Sequence, residues 1–193
     1  MNEPILNYVL AAAAAALAVY LLLAARRAWR YARPRPGSAV TRFGGNIRLR
    51  DLYRMAVKIE EDGNAFYLHM AGRVSDPASR DLCLALAAEE VRHGDFVRAL
   101  LSKWRVLPPH AAQWPAFVEK VRAEGFFSDP PSADSDEKAL AAYAIRQEVK
   151  SAEFYRLFED AFPDAWKQAQ IHRLVEEELR HEARLRAAFP GAA

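Results

Sequence analysis

The sequence predicts an all-α protein: a four-helix bundle made of two helical hairpins with a long crossover, preceded by one N-terminal transmembrane helix. Three observations predict it. From Ile5 to Ala25 the chain runs 21 residues without a charge. From residue 51 onward, apolar residues recur at helical spacing in four long stretches bounded by caps and breakers. Finally, Glu60 with Tyr67, then Glu90 and His93, return at an offset of 88 residues as Glu148 with Tyr155, then Glu178 and His181.

The apolar run is long enough, at about 1.5 Å per residue, to cross a hydrocarbon core of about 30 Å. A cleaved signal peptide and an Ala-rich soluble helix are the alternatives, and the flanks favour the span. The chain starts Met-Asn-Glu-Pro, and Arg26, Arg27, Arg30, Arg33 and Arg35 all follow the run. That asymmetry predicts a single-pass protein of the inner (cytoplasmic) membrane with its C-terminal domain in the cytoplasm. Trp29 and Tyr31 match an interfacial aromatic belt, so residues 5–35 are expected to meet membrane lipid. Pro34, Pro36, Gly37, Gly44 and Gly45 oppose a continuous helix beyond them. The expected organisation is therefore a short tail (1–4), the transmembrane helix (5–25), a basic juxtamembrane tether (26–50) and the bundle (51–193).

Within the bundle, Asp51 is the expected cap of a helix reaching about Val74, and Asp76-Pro77 opens a second helix to about Trp104. Ser135 opens a third to about Phe162, and Pro163 breaks it before a fourth to about Phe189. Glu60 and Glu90 each lie 15 residues from Ser75, and Glu148 and Glu178 each lie 15 from Pro163. Each antiparallel hairpin thus presents two carboxylates at one height, roughly 22 Å from its turn. The connector from Ser102 to Ala133, with a short helix expected around Pro115 to Glu124, is long enough to cross the bundle. Phe127 to Asp136 reads as an exposed loop.

Four carboxylates and two imidazoles in this arrangement point to a dinuclear metal site. In each Glu-x-x-His pair the side chains share a helix face. Glu90 and Glu178 are the expected bridging ligands, His93 and His181 each terminate one metal, and Glu60 and Glu148 cap the outer sides. Four carboxylates offset two divalent cations. Tyr67 and Tyr155, two turns beyond a ligand Glu, are expected to hydrogen-bond a ligand carboxylate, core packing being the simpler alternative. Gly63 and Ser151, also paired by the offset, would leave room beside the metals. Glu89 and Glu177 recur too and compete as ligands through an i, i+4 pairing with His93 and His181; Arg92 and Arg180 read as surface ion-pairing residues. His69, His110 and His172 lack counterparts and read as surface or packing residues, Glu153, Glu176 and Glu182 as solvated charges, and Phe66 and Phe154 as apolar packing.

Residues 1–50 hold eight Arg and one acid, about +7, whereas residues 51–193 carry about −5. The excess basicity belongs to the membrane-proximal segment, so no nucleic-acid partner is expected. The single cysteine, Cys83, excludes a disulfide framework or a four-cysteine iron site and reads as a core position.

Residues 51–189 resemble the rubrerythrin branch of the ferritin-like superfamily, through Ala56-x3-Glu60-x6-Tyr67, Glu90-x-x-His93, Ala144-x3-Glu148-x6-Tyr155 and Glu178-x-x-His181. The resemblance implies a di-iron site, with manganese or a mixed pair as alternatives, that oxidises iron(II) with dioxygen or reduces hydrogen peroxide. It also implies a homodimer, a partner in a membrane complex being the alternative. The chain departs from the family in lacking a rubredoxin module, which calls for a separate electron donor, and in placing Ser151 where an additional carboxylate is typical. Beside a membrane-anchored di-iron oxidoreductase stand two other readings: a non-catalytic iron-binding or accessory subunit, and a metal-free structural bundle.

Overall fold

The computed structural model describes residues 3–44, 47–103, 114–126, 129–132 and 134–192, with the side chains of residues 3 and 27–32 outside that description. The expectations for the side chains of Trp29 and Tyr31, for Trp104 and for His110 therefore lie outside the described residues. The chain divides into two units, Met1–Arg33 and Pro34–Ala193.

The first unit is α1, Glu3–Ala32. Its segment Pro4–Arg26 is long and apolar enough to cross a membrane, a test that a signal sequence also passes.

The second unit holds α2 (Leu49–Ala71), α3 (Pro77–Ser102), α4 (Trp114–Ala123), α5 (Glu137–Ala161) and α6 (Ala165–Ala188). The hairpins are α2–α3 and α5–α6, with α4 in the crossover; α2 lies beside α5, and α3 beside α6. Asp76 caps α3 as expected, its carboxylate accepting from Ser79 N–H at 2.8 Å. Two other starts differ. Helix α2 begins before Asp51, which instead accepts from the Arg48 N–H at 3.1 Å from within the first turn. Helix α5 is capped by Asp136, not Ser135, through Ala139 N–H at 2.7 Å. In both cases the local turn selects which residue starts the helix and where the nearby carboxylate meets the free N–H groups.

The core forms two apolar clusters. One holds Leu52, Met55, Phe154, Phe158 and Ile171, and the other Met70, Leu86, Leu140 and Leu185. The glutamates and histidines of the repeat belong to neither and form a buried polar layer. Cys83 is a packing residue of the second cluster, and burial pushes its thiol up to about 11.

Residues 34–44, expected within a tether, pack against the bundle. Arg35 N–H donates to Ala161 O at 2.7 Å, its guanidinium pairs with Asp160, and Ala39 N–H donates to that carboxylate at 3.0 Å. A 3-10 turn at Ala39–Phe43 then buries Val40 and Phe43. The Phe43 ring stands edge-on to Phe117 at 6.1 Å and to Phe126 at 6.2 Å. Proline and glycine prevented a helix here, but the apolar side chains between them found a core. Phe43→Ala is expected to destabilise the bundle by about 3–5 kcal/mol, read as a lower midpoint in denaturant. A midpoint equal to wild type would show that the segment is merely tethered.

Candidate metal centre

All four long helices of the bundle supply ligand-type side chains: Glu60 from α2, Glu90 and His93 from α3, Glu148 from α5, Glu178 and His181 from α6. All six are at most 7% exposed. They form two overlapping groups. Donor atoms of Glu60, Glu90, His93 and Glu178 lie within 4.8 Å of one another, as do those of Glu90, Glu148, Glu178 and His181. Glu90 and Glu178 are thus common to both groups, Glu60 and His93 belong to one, and Glu148 and His181 to the other.

The histidines present Nδ1 inward. His93 Nδ1 is 3.4 Å from Glu60 Oε2 and 3.6 Å from Glu178 Oε1, and His181 Nδ1 is 3.3 Å from Glu90 Oε1 and 3.5 Å from Glu148 Oε2. Their rings stack with centroids 5.4 Å apart. Each Nε2 points outward to an acid on the opposite hairpin: His93 to Glu177 at 2.7 Å, His181 to Glu89 at 2.8 Å. Glu89 and Glu177, considered as ligands through pairing on their own helix, instead hold the histidine of the facing helix. The repeat identifies these residues but cannot tell an i, i+4 contact from one across the bundle. Arg92 stands 3.7 Å from Glu89, and Arg180 3.4 Å from Glu177.

The tyrosines cross over in the same way. Tyr67 O–H donates to Glu148 and Tyr155 O–H donates to Glu60, each reaching the other hairpin's carboxylate. Burial, and then the adjacent carboxylate, raises both phenols well above their usual value, so they remain protonated donors. Of the histidines without counterparts, His69 is exposed and His172 faces Glu159 at 3.1 Å. Glu153 and Glu182 form ion pairs with Lys150 and Arg186. Phe66 packs on Tyr143 at 4.7 Å, and Phe154 is buried.

Charge is distributed unevenly over the layer. Burial, then the charges of Glu60 and Glu178, raises Glu90 well above the carboxylate range; burial and the Glu148 charge do the same for Glu178. Burial would also raise Glu60, but the neighbouring His93 and Glu90 side chains outweigh it and lower the group. For His93 burial opposes charging, yet the Glu178 and Glu60 carboxylates beside it raise it to about 10.

Glu60 Oε2, His93 Nδ1, Glu148 Oε2, Glu178 Oε1 and His181 Nδ1 are buried with no hydrogen-bond partner. An unsatisfied buried polar atom costs about 1–3 kcal/mol, so five in one layer require a common partner. Hard carboxylate oxygens with two imidazole nitrogens fit a pair of divalent cations such as iron or manganese.

On the α2/α5 side a cavity of about 500 Å³ reaches this layer, bordered by Gly63, Tyr67, Glu90, Glu148, Ser151 and Glu178. A Cβ at Gly63 would stand 3.2 Å from Glu90 Cδ and 3.4 Å from its Oε2, so the bare backbone there permits the carboxylate's approach.

Neither a protein-family model nor a curated protein matches the chain. Among solved structures it is similar to a ferritin-like diiron-carboxylate protein from Thermotoga maritima, with 19% identity, a TM-score of 0.58, and coverage of 76% of this chain and 97% of that one. The architecture is the ferritin-like fold.

Proposed function

We propose that this chain is a membrane-anchored di-iron carboxylate protein of the rubrerythrin branch that oxidises iron(II), reduces hydrogen peroxide, or both. The observation that carries the reading is the convergence of orphaned buried donor atoms from both hairpins on one enclosed layer. Glu90 and Glu178 would bridge two irons, or manganese in their place. Glu60 with His93, and Glu148 with His181, would complete the two ends. A bound metal pair supplies two electrons to an oxygen-oxygen bond.

The protein's own part is positioning and proton control. Glu177 and Glu89 hold the imidazoles with Nδ1 inward, and Tyr155 and Tyr67 hold Glu60 and Glu148 in place while keeping phenolic protons within the layer. The α2/α5 cavity offers dioxygen or peroxide a route to the shared carboxylates. Cys83, the only cysteine, is buried in a core cluster away from the layer, so reducing equivalents come from a separate donor. The apolar helix and the arginines after it support a single-pass anchor in the cytoplasmic membrane, with the bundle in the cytoplasm as a homodimer or in a membrane complex.

The test is anaerobic titration of the full chain with iron(II), followed by mixing with peroxide or air. We expect uptake of about two irons per chain and rapid oxidation, with the faster oxidant identifying the reaction. Uptake without repeated turnover would replace the enzyme by an iron-binding or accessory subunit. No uptake would leave a structural bundle.

A further inference from the structure

Behind the imidazoles, on the α3/α6 side, lies a second cavity of about 550 Å³ that the reading above does not use. His93 and His181 border it, and Arg92, Arg173, Arg180 and Arg184 face it together with only two acids, Glu89 and Glu177. Both acids are engaged. Glu177 holds His93 and stands near Arg180, while Glu89 accepts from His181 and from Arg184, each at 2.8 Å, with Arg92 beside it. Arg173 is exposed and forms no ion pair among the described residues.

The repeat separates the part of this basicity needed for the symmetric centre from the part added to it. Arg92 and Arg180 correspond at the 88-residue offset, but Arg173 and Arg184 correspond to Ala85 and Phe96. Two arginines on α6 thus have no basic counterpart on α3, in a domain whose residues 51–193 carry about −5. Guanidinium groups gathered in a concavity repel one another, and their planar forks match the oxygens of phosphate and carboxylate groups. A cavity of this size suits a small molecule.

We propose that the α3/α6 cavity is a binding site for a small oxyanion, a phosphate or carboxylate group, held by Arg173 and Arg184 with support from Arg92 and Arg180. Binding does not depend on the chemistry proposed above. The site lies against the imidazoles, on the face opposite the α2/α5 cavity.

The experiment is calorimetric titration of the metal-free full chain in neutral detergent with orthophosphate, with citrate, and with sodium chloride at matched ionic strength. We expect saturable binding of one oxyanion per chain, the stronger ligand telling phosphate from carboxylate recognition, and none for chloride. Arg173→Glu with Arg184→Glu should weaken binding by about tenfold or more, whereas Arg156→Glu, on an exposed part of α5, should not. Because Arg184 also pairs with Glu89, Arg173→Gln serves as the second variant: it breaks no described ion pair and should still weaken binding severalfold with an unchanged melting curve. Absence of saturable binding, or equal binding by wild type and both Arg173 variants, overturns the proposal. Oxyanion binding by a chain that takes up no iron would overturn the di-iron reading alone.

Discussion

Glu90→Gln combined with Glu178→Gln should abolish the uptake of both metals, whereas Glu60→Gln should remove only one. The asymmetry follows from the geometry, because Glu90 and Glu178 contribute donor atoms to both groups and Glu60 to one. Glutamine is the informative replacement. Burial and neighbouring charge favour the neutral form of Glu90 and Glu178 in the metal-free bundle, and an amide resembles that form in shape. The double variant should therefore fold at least as stably as metal-free wild type. What it loses is the response to metal. At a metal concentration a thousand times the dissociation constant, wild type gains about 4 kcal/mol and the double variant nothing. Metal analysis and thermal melts with and without iron(II) read both effects. Two metals retained by the double variant would refute the assignment of shared ligands, and a double loss in Glu60→Gln would refute the division into two ends.

The metal-free bundle should lose stability as pH rises, the reverse of ordinary carboxylate behaviour. Glu90 and Glu178 titrate above their usual 4.5 in the folded chain, so the stability they contribute is complete below 4.5 and drains away as pH climbs through their raised folded values. His93 acts in the same direction: raised from 6.5 to about 10, it contributes fully below 6.5 and loses that contribution as pH passes 10. Glu60 and Glu89 oppose them, since a lowered carboxylate stabilises above 4.5 and that contribution is lost only in acid. Because the lowered groups act only in acid, denaturant midpoints in the presence of chelator should fall steadily between pH 5 and 9, each raised group contributing at most about 1.4 kcal/mol per pH unit. Metal reverses the trend, because Glu90, Glu178 and His93 must release protons to become ligands. Iron(II) loading should therefore release protons into solution and tighten as pH increases. Metal-free stability that rises over this range would show that the layer is not desolvated as described.

Phe43, Tyr67 and Glu89 mark the boundary of what local pattern reveals. Helical periodicity, Asp76-Pro77 and Pro163 identified the hairpins, since caps and breakers act through bonds within a few residues of themselves. The 88-residue recurrence identified all six ligand-type residues of the buried layer, because a duplicated hairpin stamps the same spacing on both halves. Nothing local distinguishes a tether from residues 34–44, where Pro34 and Gly37 rule out a helix but do not indicate that Phe43 would meet Phe117 and Phe126. The same applies to Tyr67, whose place two turns beyond Glu60 implied a ligand carboxylate but not that it would be Glu148 on the other hairpin.

By itself, then, the sequence determined the number and register of the helices, the six buried ligand-type side chains, and the length and flanks of the apolar helix, all properties of spacing along one chain. Only the tertiary structure decided the crossed pairings of Tyr67 with Glu148, Tyr155 with Glu60, Glu89 with His181 and Glu177 with His93, together with the basic cavity that α6 builds against α3. The physical reason is that helical periodicity assigns a residue to a face, while the residue it meets there depends on which helix is packed opposite and at what height.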